Sequence, residues 1–226
     1  MNHSSSVIPV TIISGFLGAG KTTLLNRILS NQNNLKTAVL VNEFGEIGID
    51  NDLIVQTDEQ IIELSNGCIC CSINGELIEA VERILNREEE LQYIIVETTG
   101  LADPVPIAMT FLGSDLQDKT RLDSIITVID AENFNNQLQE SDVARSQIIY
   151  GDILLLNKCD LVDKKQIKEI KNNLTHLKKD IRIIESINGE VPLNLLLSVG
   201  LFETDNIHGH VDVHGHEHEH EHEHEH

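Results

Sequence analysis

The chain has 226 residues and a formal charge of −21, with 40% hydrophobic residues but only 3% aromatic ones and no Trp. That length suits one ordinary domain with a substantial core, and the scarcity of aromatics leaves the core to Ile, Leu and Val, which favour buried strands. No apolar run is long enough to span a membrane, and an acidic surface repels phosphate backbones, so a membrane or nucleic-acid partner is not expected.

The N-terminus, Met1-Asn-His-Ser-Ser-Ser6, lacks the basic and apolar regions of a signal peptide, so a cytoplasmic location is expected. The apolar run from Val7 to Ile13 predicts a strand, with Pro9 near its start, where a missing donor does least harm. Thr22–Leu29 carries Leu24, Leu25, Ile28 and Leu29 at helical spacing. Further strands are predicted at 37–41 and 60–64, then a helix over 76–90. Tyr93–Val96, Ser124–Ile129 and Ile153–Leu156 read as buried strands. An amphipathic helix over 163–177 and a short strand at 181–184 complete the series. Strands apolar on both faces and alternating with helices predict an α/β fold, a mostly parallel sheet with helices on both sides. Ligands in such sheets bind at the C-terminal strand ends. The predicted division is a nucleotide-binding domain at 1–200 and a flexible tail at 201–226.

Between the first strand and first helix lies Gly15-Phe-Leu-Gly-Ala-Gly-Lys-Thr22, a complete Walker A motif. Gly15, Gly18, Ala19 and Gly20 let the backbone curl so that its N–H groups face phosphate oxygens, and the following helix offers its positive end to the same anion. Lys21 is expected to bridge the β- and γ-phosphates, the Thr22 hydroxyl to ligate Mg²⁺, and Thr23 to line the same nucleotide site. Glu97-Thr-Thr-Gly100 follows another strand. Its carboxylate suits the Mg²⁺ water shell, and Gly100 permits close approach to the γ-phosphate. Lys21, Thr22 and Glu97 are thus the candidate catalytic residues.

Asn157-Lys-Cys-Asp160 follows the strand ending at Leu156. The Asp160 carboxylate can accept hydrogen bonds from guanine N1–H and the exocyclic amine, which adenine cannot offer. Asn157 is expected to brace the loop and touch the base, with the Lys158 stem over its face. Ser186-Ile-Asn188 is a weaker candidate for closing over the base.

Asn66-Gly-Cys-Ile-Cys-Cys71 places three thiols within four residues. Converging thiolates favour Zn²⁺, Cu(I), Co²⁺ or Ni²⁺ over Mg²⁺ and can leave a coordination position open for transfer. Buried unreactive cysteines or a redox pair are the alternatives. Nine of the eleven histidines lie in the tail, at His208, His210, His214, His216, His218, His220, His222, His224 and His226. This flexible, alternating His-Glu run is expected to bind transition metals with little selectivity. It reads as a native segment because it grades in from His208 to His216, with an affinity tag as the alternative.

Gly15–Thr23, Val41-Asn-Glu-Phe-Gly45, Gly67–Cys71, Glu97–Pro104 and Asn157–Asp160 occur in the order found in CobW-like GTPases, which this chain resembles over about residues 7–200. The resemblance implies a P-loop GTPase whose GTP hydrolysis is coupled to delivery of Zn²⁺, Co²⁺ or another transition metal to a client metalloprotein. It implies Cys68, Cys70 and Cys71 as the metal motif, with Glu43 a candidate oxygen ligand or Mg²⁺-side contact. Family members commonly carry a further C-terminal domain, for which this sequence has no evident room. A metal store built on the tail, with nucleotide regulatory, is the alternative function. The oligomeric state stays open between monomer and homodimer.

Overall fold

The computed structural model describes residues 7–31, 35–42, 61–63, 73–86, 91–113, 115–135, 141–198 and 200. Seven strands, β1 (Ile8–Gly15), β2 (Thr37–Asn42), β3 (Ile61–Glu63), β4 (Tyr93–Thr98), β5 (Thr120–Asp130), β6 (Ile153–Asn157) and β7 (Arg182–Glu185), form one sheet. Its order is β3-β2-β4-β1-β5-β6-β7, and every neighbouring pair is parallel. Every residue of β4 and of β6 is buried, as expected for a sheet covered on both faces.

Strand periodicity divides the core. Val10, Ile12, Leu40, Ile94 and Val96 face helices α2 (Ile73–Leu85) and α3 (Pro104–Leu112), whose Leu77, Val81, Ile107 and Phe111 close that side. Their neighbours Ile13, Val39, Ile95, Ile126 and Leu155 face the opposite way, onto Leu24, Leu25, Ile28 and Leu29 of α1 (Lys21–Asn31). Leu154 and Leu156 pack with Ile148 of α4 (Asp142–Tyr150) and with Ile170 and Leu174 of α5 (Lys164–Leu177).

Two helices lie where sequence periodicity predicts none. In α3 two prolines stand among apolar residues, a pattern that resembles a loop. Pro104 occupies the first turn, where its missing N–H costs nothing, and the Asp103 side chain caps the helix by accepting from Val105 N at 3.0 Å. In α4 the inward residues are Ala144, Gln147 and Ile148, so a polar side chain interrupts the apolar stripe. Ser141 starts this helix by accepting from Ala144 N at 3.3 Å. Helix α5 follows its predicted amphipathic pattern and opens with a reciprocal capping box between Asp163 and Gln166.

Strand β5 begins four residues before the predicted Ser124, because the carboxylate of Asp123 near its start is buried and satisfied. Asp123 accepts from the Tyr93 hydroxyl at 2.9 Å and from Gly200 N at 2.9 Å. Tyr93 also meets Thr11 Oγ1 at 2.8 Å and accepts from Ser198 N at 3.1 Å. Burial pushes the Tyr93 phenol well above its ordinary range. This polar seam lies at the N-terminal strand ends, opposite the loops described next.

Candidate nucleotide-binding site

The turn from β1 into α1 carries the Walker A residues. Gly15, Gly18 and Gly20 all have positive φ; a Cβ at Gly15 would stand 2.2 Å from Val128 O, and space is short at Gly20 as well. Its φ is +103°, and a Cβ there would stand 2.5 Å from Asn157 Nδ2. Ala19 is buried, and its carbonyl accepts from Asn157 Nδ2 at 3.0 Å. Asn157 Oδ1 in turn accepts from Ser186 Oγ at 2.9 Å and from Gly189 N at 3.0 Å. One buried amide therefore ties the phosphate loop, the end of β6 and the loop after β7 together.

Lys21 opens α1 almost fully buried, and its Nζ donates to the Phe16 carbonyl at 3.4 Å. Burial lowers its pKa, and the nearby Glu97 carboxylate partly opposes that shift. Thr22 Oγ1 donates to Glu97 Oε1 at 2.8 Å, joining the P-loop to the end of β4. Thr23 is exposed on the first turn of α1. The hydroxyl and carboxylate form a hard-oxygen donor pair, which fits Mg²⁺ held partly through water. Gly100 is buried beneath the same loop, and a Cβ there would meet Leu17 N at 2.5 Å.

After β6, Lys158 adopts a left-handed conformation with φ +60°, and its Nζ lies 2.7 Å from Asp130 Oδ2. Asp160 is exposed in the short 3₁₀ turn Cys159–Leu161 that follows. Asp130 is a residue that motif reading passed over. Buried at the end of β5, it also accepts from Glu132 N at 2.9 Å and from Asn133 Nδ2 at 3.0 Å. Burial alone would raise its pKa, but the bonds from Lys158 and Asn133 outweigh this and hold it below the usual carboxylate value. The rule that singled out Glu97, an acid at a C-terminal strand end, also finds Asp130.

Residues 9–185 match the profile described as CobW/HypB/UreG, nucleotide-binding domain. The chain belongs to this family of P-loop GTPases. The zinc-regulated GTPase metalloprotein activator 1 of Dictyostelium discoideum is 36% identical over 241 residues, covering 90% of this chain and 50% of the relative. The zinc chaperone YjiA of Escherichia coli is 38% identical over 200 residues, covering 86% of this chain and 62% of the relative. The crystal structure of Zn(II)-bound YjiA GTPase superposes with a TM-score of 0.69 and 30% identity, over 90% of this chain and 64% of that one. The chain therefore spans about half to two thirds of the length of these CobW-family relatives.

Cys68, Cys70, Cys71, Glu43 and all the tail histidines from His208 to His226 lie outside the described residues. Among the described residues, no group of three or more His, Cys, Asp or Glu side chains is placed to hold a metal ion. Cys159 is half-buried and its thiol donates to the Leu156 carbonyl, a local turn contact. No helix among the described residues is long and apolar enough to cross a membrane.

Proposed function

We propose that this chain binds and hydrolyses GTP with Mg²⁺, and uses the nucleotide state to control binding of a transition metal at Cys68, Cys70 and Cys71 for delivery to a client metalloprotein. The observation that carries the nucleotide half is the convergence on one strand-end crevice of Lys21, Thr22 bonded to Glu97, and Asn157 bridging the P-loop to the base loop. Backbone amides from Gly15 to Thr22 and the Lys21 ammonium would cradle the phosphates. Mg²⁺ would supply charge neutralisation between Thr22 and Glu97. Asp160 would select guanine, with Lys158 held beside the base by Asp130. Catalysis would rest on positioning and charge stabilisation.

The metal half is supported by the family and by relatives named as zinc chaperones, which favour Zn²⁺ over Co²⁺ or Ni²⁺. Glu43 and the tail histidines are candidate accessory ligands, and a cytoplasmic setting fits the thiolate chemistry. A metal-buffering role is favoured by one observation, the nine histidines crowded into 208–226.

Anaerobic metal competition separates the readings. Zn²⁺ affinity is measured with a non-hydrolysable GTP analogue and with GDP, for the full chain and for a variant whose tail histidines are replaced. The chaperone reading expects nucleotide-dependent affinity to survive in the variant. Equal affinities in the two nucleotide states would sink the coupling, and loss of nearly all metal capacity with the histidines would favour the buffer.

A further inference from the structure

The loop after β4 is held by one buried side chain outside the nucleotide-binding motifs. Gln147 of α4 is 1% exposed. Its Nε2 donates to the carbonyls of Gly100 at 3.3 Å and Ala102 at 3.0 Å. Both amide N–H groups are therefore committed to the loop that also presses on Leu17 of the P-loop. The helical turn that carries Gln147 is itself anchored, because its carbonyl accepts from Thr127 Oγ1 of β5 at 2.6 Å and from Gly151 N at 3.1 Å.

Packing beside this latch is incomplete. A cavity of about 10 Å³, bordered by Phe16, Thr127, Phe134, Ala144 and Gln147, separates the inner face of α4 from the start of the P-loop. A void this small, about room for one water, leaves the latch otherwise close-packed, so movement of the loop is expected to be carried to α4. Gly100 packs so closely on the P-loop that a Cβ there would stand 2.5 Å from Leu17 N, so a displacement of its backbone is felt by that loop.

We infer that Gln147 is a positioning residue: it sets the place of Gly100 relative to the P-loop, so that the preference for triphosphate over diphosphate is transmitted to α4. Its amide replaces water at two loop carbonyls, and the buried environment makes an unmet carbonyl costly. The loop is thereby biased toward one geometry before nucleotide arrives. By linkage, whatever shifts α4 must also shift the triphosphate preference. This rests on the GTP reading of the site given above.

The test compares affinities for a non-hydrolysable GTP analogue and for GDP, both with Mg²⁺, in the full chain and in Gln147→Met. Methionine keeps the length of the side chain and removes both donors. Analogue affinity is expected to fall about five- to tenfold while GDP affinity stays within about twofold. A merely structural role would weaken both nucleotides alike. Thr127→Val keeps the side-chain shape but deletes the Oγ1 donor that anchors α4, and is expected to lower the same ratio by a smaller factor. An unchanged affinity ratio in either folded variant, or an equal loss of both nucleotides, overturns the inference. Absence of any guanine-nucleotide binding by the unmodified chain would instead overturn the GTP reading.

Discussion

At the residue scale, the crevice depends on side chains that hold loops as well as on those that would touch nucleotide. Asn157 uses both ends of its amide, donating to Ala19 O and accepting from Ser186 Oγ and Gly189 N. Asn157→Ala strands these buried partners, so a loss of about 2–4 kcal/mol in folding free energy is expected from urea unfolding. Asp130 acts on Lys158 in the same indirect way. Asp130→Asn weakens the 2.7 Å pair, and guanine-nucleotide affinity is expected to fall about five- to tenfold, equally for GTP and GDP because the phosphate end is untouched. The same residue gives a pH signature. Its folded-state pKa lies below the ordinary value of 3.8, so the unfolded chain takes up the proton first as acid is added. Its contribution is present above about pH 4 and is lost as pH falls through the folded pKa. Urea midpoints followed from neutral pH toward pH 3 should therefore decline less steeply in Asp130→Asn than in the unmodified chain.

At the element scale, the sheet presents chemistry at one end and a sealed polar seam at the other. The C-terminal ends of β1, β4, β5 and β6 deliver Gly15, Glu97, Asp130 and Asn157 to a common rim. The N-terminal ends of β4 and β5 are joined through Tyr93 and Asp123, which also receive the backbone N–H groups of Ser198 and Gly200. This seam ties the segment after β7 back onto the sheet. Tyr93→Phe keeps the ring packed among Ile13 and Ile95 but removes the hydroxyl from Thr11, Asp123 and Ser198. A cost of about 1–3 kcal/mol is expected, with earlier amide exchange at Ser198 as the local readout. Nucleotide affinity should change little, because the seam and the crevice occupy opposite strand ends.

At the scale of the whole molecule, nucleotide binding and folding are linked. A ligand that binds only the folded chain stabilises it by about 2.7 kcal/mol at a hundredfold excess over its dissociation constant. GTP with Mg²⁺ is expected to raise the melting temperature in calorimetry, ATP to do so only weakly, and removal of Mg²⁺ to reduce the gain from GTP. Much of this assembly was legible beforehand. All seven strands follow from apolar runs, and the P-loop, the end of β4 and the Asn157–Asp160 loop follow from motifs at strand ends. Helices α3 and α4 were not legible, because the prolines of one and the buried glutamine of the other break helical periodicity.

The sequence by itself determined the parallel sheet, the phosphate loop and the guanine-type motif, since each depends on local spacing and on the period of apolar residues. The order of its motifs also carries the likeness to the CobW-like GTPases. Only the tertiary structure decided that Asn157 clasps Ala19, that Asp130 holds Lys158 and that Gln147 holds the Gly100 loop. Those partners are 138, 28 and 47 residues apart in the chain. No local pattern encodes such contacts. They exist because parallel strands bring distant strand ends to one rim, where buried polar groups must find partners among whatever the fold has placed beside them.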